Sequence, residues 1–423
     1  MNYLVTIWDA GGSVPPELAL VRRLVAAGHQ VVALAGPPLQ PAVEAAGATF
    51  RSWQRVPHRR HPSEPEPFDD SDLSGPPQIV QMMLDRLITG PARDYAAEVG
   101  AALDEFRSDA LVSSMLMLGG MAAAETRHVP FVAVLPNCYL MPCPGMPPFG
   151  TGWLPARGPL GRFRITALNR LATHLWDRGL PTFNAARAEL GLPALAHLFD
   201  QHHAAARVLV LTSRAFDFPA ALPPNVRYVG PQLDDPYWAE PVDLPPGDEP
   251  LVLVGMSSTF MNQTDLLRRV VAALDRLPVR GLVTTGPEID PATIIGTARV
   301  HVVRSAPHSA VLPETAAVIN HGGHGIVIKA LAAGLPQLTI PLGRDQPNNA
   351  ARVHATGVGL RLKKNATPAA ISAAVRRLLD EPGIRLRARK LGATLRADAA
   401  SHTAVTELEQ TTRHGNEQPT INN

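Results

Sequence analysis

The segment His321-Gly322-Gly323-His324-Gly325 has the clearest chemical content in this 423-residue chain. It follows the apolar run Ala316 to Ile319 and opens a helix-like stretch, Ile326 to Ala333. A backbone without Cβ approaches a ligand closely and adopts the positive φ angles of a tight turn. A helix starting directly after such a turn presents unpaired N–H groups and a partial positive charge, which together favour a phosphate or diphosphate. His321 adds a ring N–H donor. The spacing is neither that of the P-loop with its lysine nor GxGxxG. The same five residues also describe an ordinary strand-to-helix connection with a capping role.

The sequel favours the chemical reading. The helix closes at Gly334, Leu335-Pro336 turns the chain, and Gln337 to Pro341 reads as another strand, followed by the polar loop Leu342 to Asn349. Loops at the carboxyl ends of strands meet at the ligand crevice of an open α/β sheet, so the glycine turn and this loop should lie side by side. Asp345 and Gln346 offer the acceptors and donors that sugar hydroxyls need. Solvated turn residues would look the same in sequence. Further upstream, Ser257-Ser258-Thr259 follows the apolar run Leu251 to Gly255. That position suits either a helix N-cap or an anion site, which share one geometry.

These residues need a layered scaffold, and the rest of the chain supplies its pattern. Leu4 to Trp8 reads as a first strand, Gly11 to Pro16 leads into a helix ending near Ala27, Gly28 stops it, and Val31 to Leu34 is the next strand. Ala110 to Ser113, Val129 to Leu135, Val208 to Leu211 and Val226 to Val229 continue the strands, and Leu160 to Leu190 reads as helical. Residues 51–77, rich in proline, acid and histidine, are expected to be a long mobile loop. The stretch 136–159, with Tyr139, Phe149 and Trp153 among prolines and glycines, suits an apolar pocket wall or a plain crossover. Residues 231–250 have the proline and acid content of an interdomain linker. After Leu251 to Gly255, a helix is expected from Ser257-Ser258-Thr259 to about Leu277, with strands at Gly281 to Thr284 and Val300 to Val303. Thr367-Pro368 should cap and start another helix.

Composition narrows the function classes. The length suffices for two domains and 45% hydrophobic content allows two cores. A net charge of +2, with basic residues scattered, argues against a nucleic-acid binder. The amino terminus enters an apolar strand with no basic leader, so a cytoplasmic protein is expected. The longest uncharged apolar segment, Ala110 to Ala124, is too short to span a membrane. Cys138 and Cys143, the only cysteines, supply neither a zinc set nor a disulfide framework and read as incidental thiols.

Taken together, the PHSAVLP motif at 307–313, HGGHG, KALAAGLP at 329–336 and PLGRDQPNNAARV at 341–353 resemble the donor-binding signature of family 1 glycosyltransferases, in particular bacterial natural-product enzymes that use nucleoside-diphosphate sugars. The resemblance implies an α/β fold of GT-B type, two Rossmann-like domains facing across a cleft. It implies an acceptor-binding domain over 1–230, the linker at 231–250 and a nucleotide-sugar-binding domain over 251–400. A helix at 401–412 would cross back to the first domain, and 413–423 would be a disordered tail. In this frame His321 with the turn amides of Gly322, Gly323 and Gly325, together with Ser257, Ser258 and Thr259, would surround the diphosphate. Ala306 and His308 would hold the nucleoside, and Asp345 and Gln346 the sugar. Lys329 stands where plant members carry a ribose-binding glutamate, which leaves UDP and dTDP both open and tilts the reading toward a nucleotide with one hydroxyl fewer.

Removal of the acceptor's proton is the unresolved step. The position that holds a histidine, or in some relatives an aspartate, is Ser13 here, and an alcohol is a poor base near neutral pH. Asp9 acting directly or through Ser13 and a water, His58 or His61 from the mobile loop, or an acidic acceptor are the alternatives. The leading expectation is an inverting, metal-independent transfer of a hexose or deoxyhexose to a hydroxyl of an apolar small molecule, with no cofactor beyond the sugar nucleotide. Ser13 motivates a second reading, a catalytically weak homologue assisting another transferase. A nucleotide-sugar epimerase or nicotinamide oxidoreductase would share the layered sheet but lacks its dinucleotide fingerprint here. A homodimer stays open.

Overall fold

The computed structural model describes residues 1–8, 11–61, 64 and 75–416. The first sheet is built from β1 (Asn2–Thr6), β2 (Gln30–Ala35), β3 (Thr49–Ser52), β4 (Ala110–Ser114), β5 (Phe131–Leu135), β6 (Arg207–Val210) and β7 (Val226–Tyr228). These strands lie in the order β3-β2-β1-β4-β5-β6-β7, all parallel. The second sheet contains β8 (Leu251–Gly255), β9 (Arg280–Thr284), β10 (Val300–Val303), β11 (Thr315–Asn320), β12 (Gln337–Thr339) and β13 (Gly359–Arg361). Its order is β10-β9-β8-β11-β12-β13, again parallel throughout. The chain is therefore an α/β protein with two Rossmann-like parallel sheets.

The central strands are apolar on both faces because helices cover both faces of a parallel sheet. Leu4, Leu111, Ala133 and Leu135 point into one core of the first sheet. Tyr3, Val5, Val112 and Val132 point into the other. In each sheet the strand order reverses beside the first strand, between β1 and β4 and between β8 and β11. A crevice forms beyond the carboxyl ends of the strands at such a reversal. The helix Val14–Ala26 starts with two prolines in its first turn, where a missing N–H costs nothing. Gly28, at φ +84°, turns the chain out of it. Thr367 caps the helix Pro368–Asp380 by accepting from the Ala370 N–H.

The two halves are joined by more than a linker. Cys138 and Phe216 pack with Val327, Ile328 and Leu331 in a shared apolar cluster. Arg352 meets Asp217 at 2.6 Å with both side chains fully buried. The helix Thr403–Asn416 returns to the first sheet, placing Ala404 and Leu408 in its core. Glu407 pairs with Arg207 at 2.8 Å, and Glu409 meets His29 at 3.1 Å.

Several expectations need correction. Residues 51–77 are not loop throughout: Arg51 and Ser52 finish β3, which pairs with β2, and a helix starts at Pro76. Residues 62, 63 and 65–74 lie outside the described residues. The helical stretch 160–190 is two helices, Gly158–Trp176 and Leu180–Glu189, broken at Asp177–Gly179. Ser257-Ser258-Thr259 does not cap a helix; the next helix is Thr264–Leu274. Leu342 to Asn349 is not wholly loop, because Gln346 opens the helix Gln346–Ala355. The last helix runs to Asn416, into the segment expected to be a disordered tail, while 417–423 fall outside the described residues.

Candidate active site

A cavity of about 380 Å³ lies between the carboxyl ends of the two sheets. Ser257, Ser258, Thr259, Ala306, His308, His321, Gly323, Gly325, Asp345 and Gln346 all line it, as does Ser13 on the opposite side. Asp9 lies outside the described residues. Gly322 is set behind the surface, and neither His58 nor His61 reaches the cavity.

The glycine turn follows from local chemistry. Asn320, at the end of β11, accepts the Gly322 N–H at 2.9 Å and donates to the Gln337 side chain at 2.7 Å. Gly322 then turns at φ +89°, where a Cβ would come within 2.8 Å of the Gln346 carbonyl. Gly323 is the N-cap of the helix His324–Ala332, which starts two residues earlier than its apolar pattern suggests. A Cβ on Gly323 would stand 2.3 Å from His321 Nε2, so this glycine leaves the space the imidazole fills. His321 Nδ1 is 3.3 Å from the Gly255 carbonyl. A carbonyl only accepts, so the neutral ring carries its proton on Nδ1 and turns an acceptor, Nε2, toward Gly323. Burial holds this histidine neutral, its pKa down at about 4.

Ser257 and Thr259 share a hydroxyl contact at 3.1 Å, and the Ser257 hydroxyl accepts from the Thr259 N–H at 3.2 Å. Arg344 was part of the polar loop in sequence but received no role there. It adopts φ +54°, lines the cavity, and donates to Thr259 Oγ1 at 3.1 Å. Its charge reaches His321. This end of the cavity therefore presents a permanent cation, which sequence spacing alone did not single out.

Asp345 and Gln346 sit side by side but differ in what they leave available. Gln346 Oε1 accepts from the Leu342 and Gly343 N–H groups at 2.8 and 3.2 Å. Among the described residues its amide nitrogen meets only the Met261 sulfur, at 3.0 Å, a weak acceptor that a hydroxyl can displace. Asp345 Oδ2 accepts from Asn137 and Asn349, each at 2.7 Å. Burial pushes the Asp345 carboxyl above its ordinary range, and the Asn137 and Asn349 donors work against that rise.

Further along the cavity wall, Ala306 is buried and His308 is held neutral by burial, at about 4, with Nδ1 unpartnered among the described residues. Lys329 is neighboured by Asp235 of the linker at 3.5 Å, and Asp235 accepts from the Ser309 hydroxyl and N–H. Burial lowers Lys329. It also pushes Asp235 up, but Ser309 and Lys329 more than offset that and keep it a carboxylate.

The opposite wall is apolar: Trp8, Ile79, Leu116, Met141, Phe149 and Trp176 face the cavity. Behind it lies a residue that sequence reading missed. Glu17 is buried with Oε1 unpartnered among the described residues, Oε2 3.4 Å from the Trp8 N–H and Ser114 beside it. Burial lifts its carboxyl to about 8. An amphipathic helix pattern gives no hint that one acidic residue points inward. Asn137 and Asp235 were equally invisible, because each meets its partner only through tertiary structure.

Two facing parallel sheets with a nucleotide-type turn in the cleft define the GT-B class of glycosyltransferases. Residues 288–413 match the family model described as "Erythromycin biosynthesis protein CIII-like, C-terminal domain". The chain is 29% identical to 4'-demethylrebeccamycin synthase from Lentzea aerocolonigenes over 96% of its own length and 97% of the relative's. It is 28% identical to O-mycaminosyltylonolide 6-deoxyallosyltransferase from Streptomyces fradiae, covering 97% of each. A solved structure, spinosyn rhamnosyltransferase SpnG complexed with thymidine diphosphate, superposes with a TM-score of 0.68 at 20% identity, over 97% of this chain and all (100%) of that one. The chain belongs to the family 1 glycosyltransferases of bacterial natural-product type, enzymes dependent on nucleoside-diphosphate sugars. Among the described residues no helix is long and apolar enough to cross a membrane.

Proposed function

We propose that the chain transfers a hexose or 6-deoxyhexose from a dTDP- or UDP-sugar to a hydroxyl of an apolar small molecule, with inversion and without a metal. The observation that carries this reading is one cavity with two chemically different walls. The polar wall, from the 251–400 half, holds the donor: Arg344, His321, Ser257, Ser258, Thr259 and the turn of Gly322, Gly323 and Gly325 at the diphosphate, Ala306 and His308 at the nucleoside, Asp345 and Gln346 at the sugar. The apolar wall, from the 1–230 half, receives the acceptor. The solved rhamnosyltransferase carries thymidine diphosphate, which supports dTDP and a deoxysugar. Lys329, which lines the cavity, is a further support, since an ammonium donates and cannot accept from a ribose hydroxyl.

In the transfer, the acceptor oxygen forms a bond to the anomeric carbon as the bond to the diphosphate oxygen breaks and the diphosphate leaves with the electron pair. Arg344 and the helix N-terminus after Gly323 stabilise the departing charge. Ser13 faces the acceptor side and relays the acceptor's proton to a carboxylate, with Asp9 in that role. Titration calorimetry with dTDP and UDP on the wild type and on His321→Ala tests the donor assignment. Binding of at least one nucleotide, weakened about tenfold or more by the substitution, is the expected result. Absence of binding by both, or an unaffected variant, overturns it.

A further inference from the structure

Asn137 belongs to the first half of the chain, two residues beyond the end of β5, yet its amide group is committed to a residue more than two hundred positions away. Its Nδ2 donates to Asp345 Oδ2 at 2.7 Å, while its Oδ1 accepts the Cys138 N–H at 2.7 Å. The second bond settles the orientation of the amide: the oxygen must face Cys138, so the NH₂ group must face Asp345. Both residues line the cavity. Asn349, one turn along the helix Gln346–Ala355, donates to the same Oδ2 at 2.7 Å. Two fixed donors on one oxygen, with the residue's own N–H as a third on the carboxyl, hold the carboxylate at the cavity wall.

We propose that Asn137 is a positioning residue for sugar recognition, so that the hexose subsite is completed only when the two domains are docked as they are here. This rests on the reading of Asp345 as a sugar ligand. Asn349 and the Asp345 N–H both hold the carboxyl from one helix end, whereas Asn137 holds it from the other half of the chain. Burial works against an ionised Asp345, and Asn137 is the first of the groups that oppose that rise. A hydroxyl donating to an aimed carboxylate makes a charge-assisted bond, and its loss or misalignment is costly in a dry site. The acceptor-binding domain therefore takes part in choosing the donor sugar.

The test separates donation to Asp345 from capping of the Cys138 N–H. Asn137→Asp keeps an oxygen for Cys138 but replaces the donor by a second carboxylate, while Asn137→Ala removes both contacts. For each variant, for Asp345→Ala and for the wild type, calorimetry gives the dissociation constants of dTDP-glucose and dTDP, and of UDP-glucose and UDP. The ratio of the sugar nucleotide's constant to the nucleotide's is the readout. Both Asn137 variants should raise that ratio about five- to twentyfold, the loss of one charged hydrogen bond, with the plain nucleotide bound as in the wild type. Unchanged nucleotide binding also certifies that the second domain is folded. If Asp345→Ala raises the ratio and Asn137→Asp does not, the positioning role is overturned while the sugar role of Asp345 survives. If Asp345→Ala leaves the ratio unchanged, the underlying sugar assignment falls, and the proposal with it.

Discussion

His321, which the proposed function places at the diphosphate, already uses its one neutral N–H elsewhere. His321 donates from Nδ1 to Gly255, so Nε2 becomes a donor only when the ring takes up a second proton. With burial holding the pKa at about 4, that proton is absent at neutral pH, and under the proposed function a bound diphosphate would raise the pKa and bring the proton with it. Calorimetry of dTDP binding near pH 6.5 in buffers of different ionisation enthalpy should therefore show net proton uptake, abolished in His321→Ala. Equal heats in all buffers would rule this out. Gly323→Ala makes the same point sterically: a methyl 2.3 Å from Nε2 evicts the ring. Nucleotide affinity should fall about as far as in His321→Ala, with thermal stability altered by far less than the several kcal/mol of a core overpacking, because the intrusion is toward the cavity.

At the scale of elements, the helix Val14–Ala26 carries an unusual cost. Glu17 sits on its inner face with no charged side chain among the described residues to offset burial. Its folded pKa of about 8 lies above the ordinary 4.5, so the folded state holds a proton that the unfolded chain has released between those values. The associated stability is complete below about pH 4.5 and drains away as pH rises through 8. Glu17→Gln removes this linkage. The stability difference between variant and wild type, read by denaturant unfolding, should grow in the variant's favour by a few kcal/mol between about pH 6 and 9. Parallel curves would show that Glu17 is not buried as an acid.

That helix also shows what a sequence makes readable. Its prolines, its apolar period and Gly28 fix where it starts and stops, and the strand runs fix both sheets, because these signals are local and repeated. The glycine turn and the Asp345-Gln346 pair stood out as candidates for a similar reason, since their residue types are rare in combination and fall at strand ends, and they line one cavity. The partners that finish the site were not. Asn137 lies 208 residues from Asp345, and Asp235 lies 94 from Lys329. No periodicity or cap connects such pairs, and only the docking of two sheets brings them together. Ser257-Ser258-Thr259 erred in the opposite sense. It has the composition of a cap, but Ser257, Thr259 and Gln263 bond among themselves and delay the helix to Thr264.

For the whole molecule, the decisive contacts are those that hold one half against the other. Arg352 and Asp217 are both fully buried, and Arg352 also stacks over Phe218 at 4.4 Å. Asp217 accepts from the Tyr139 N–H and the Tyr228 hydroxyl as well. Removing one partner strands a charge in a dry interface, a loss of about 3–5 kcal/mol. Asp217→Ala should lower the unfolding free energy by that order and split a single thermal transition into two, one for each sheet, in scanning calorimetry. A single transition at the wild-type temperature would show that the pair contributes nothing to docking.

The helix Thr403–Asn416 has a consequence for how the protein is made. It is a 14-residue element from the very end of the described chain, yet Ala404 and Leu408 belong to the core laid down by the first strands. A ribosome delivers β1 to β7 long before that helix leaves the exit tunnel. The first sheet must wait through the synthesis of the entire second one with an apolar face uncovered, so residues translated after the second sheet are the ones that finish the first structure to be started.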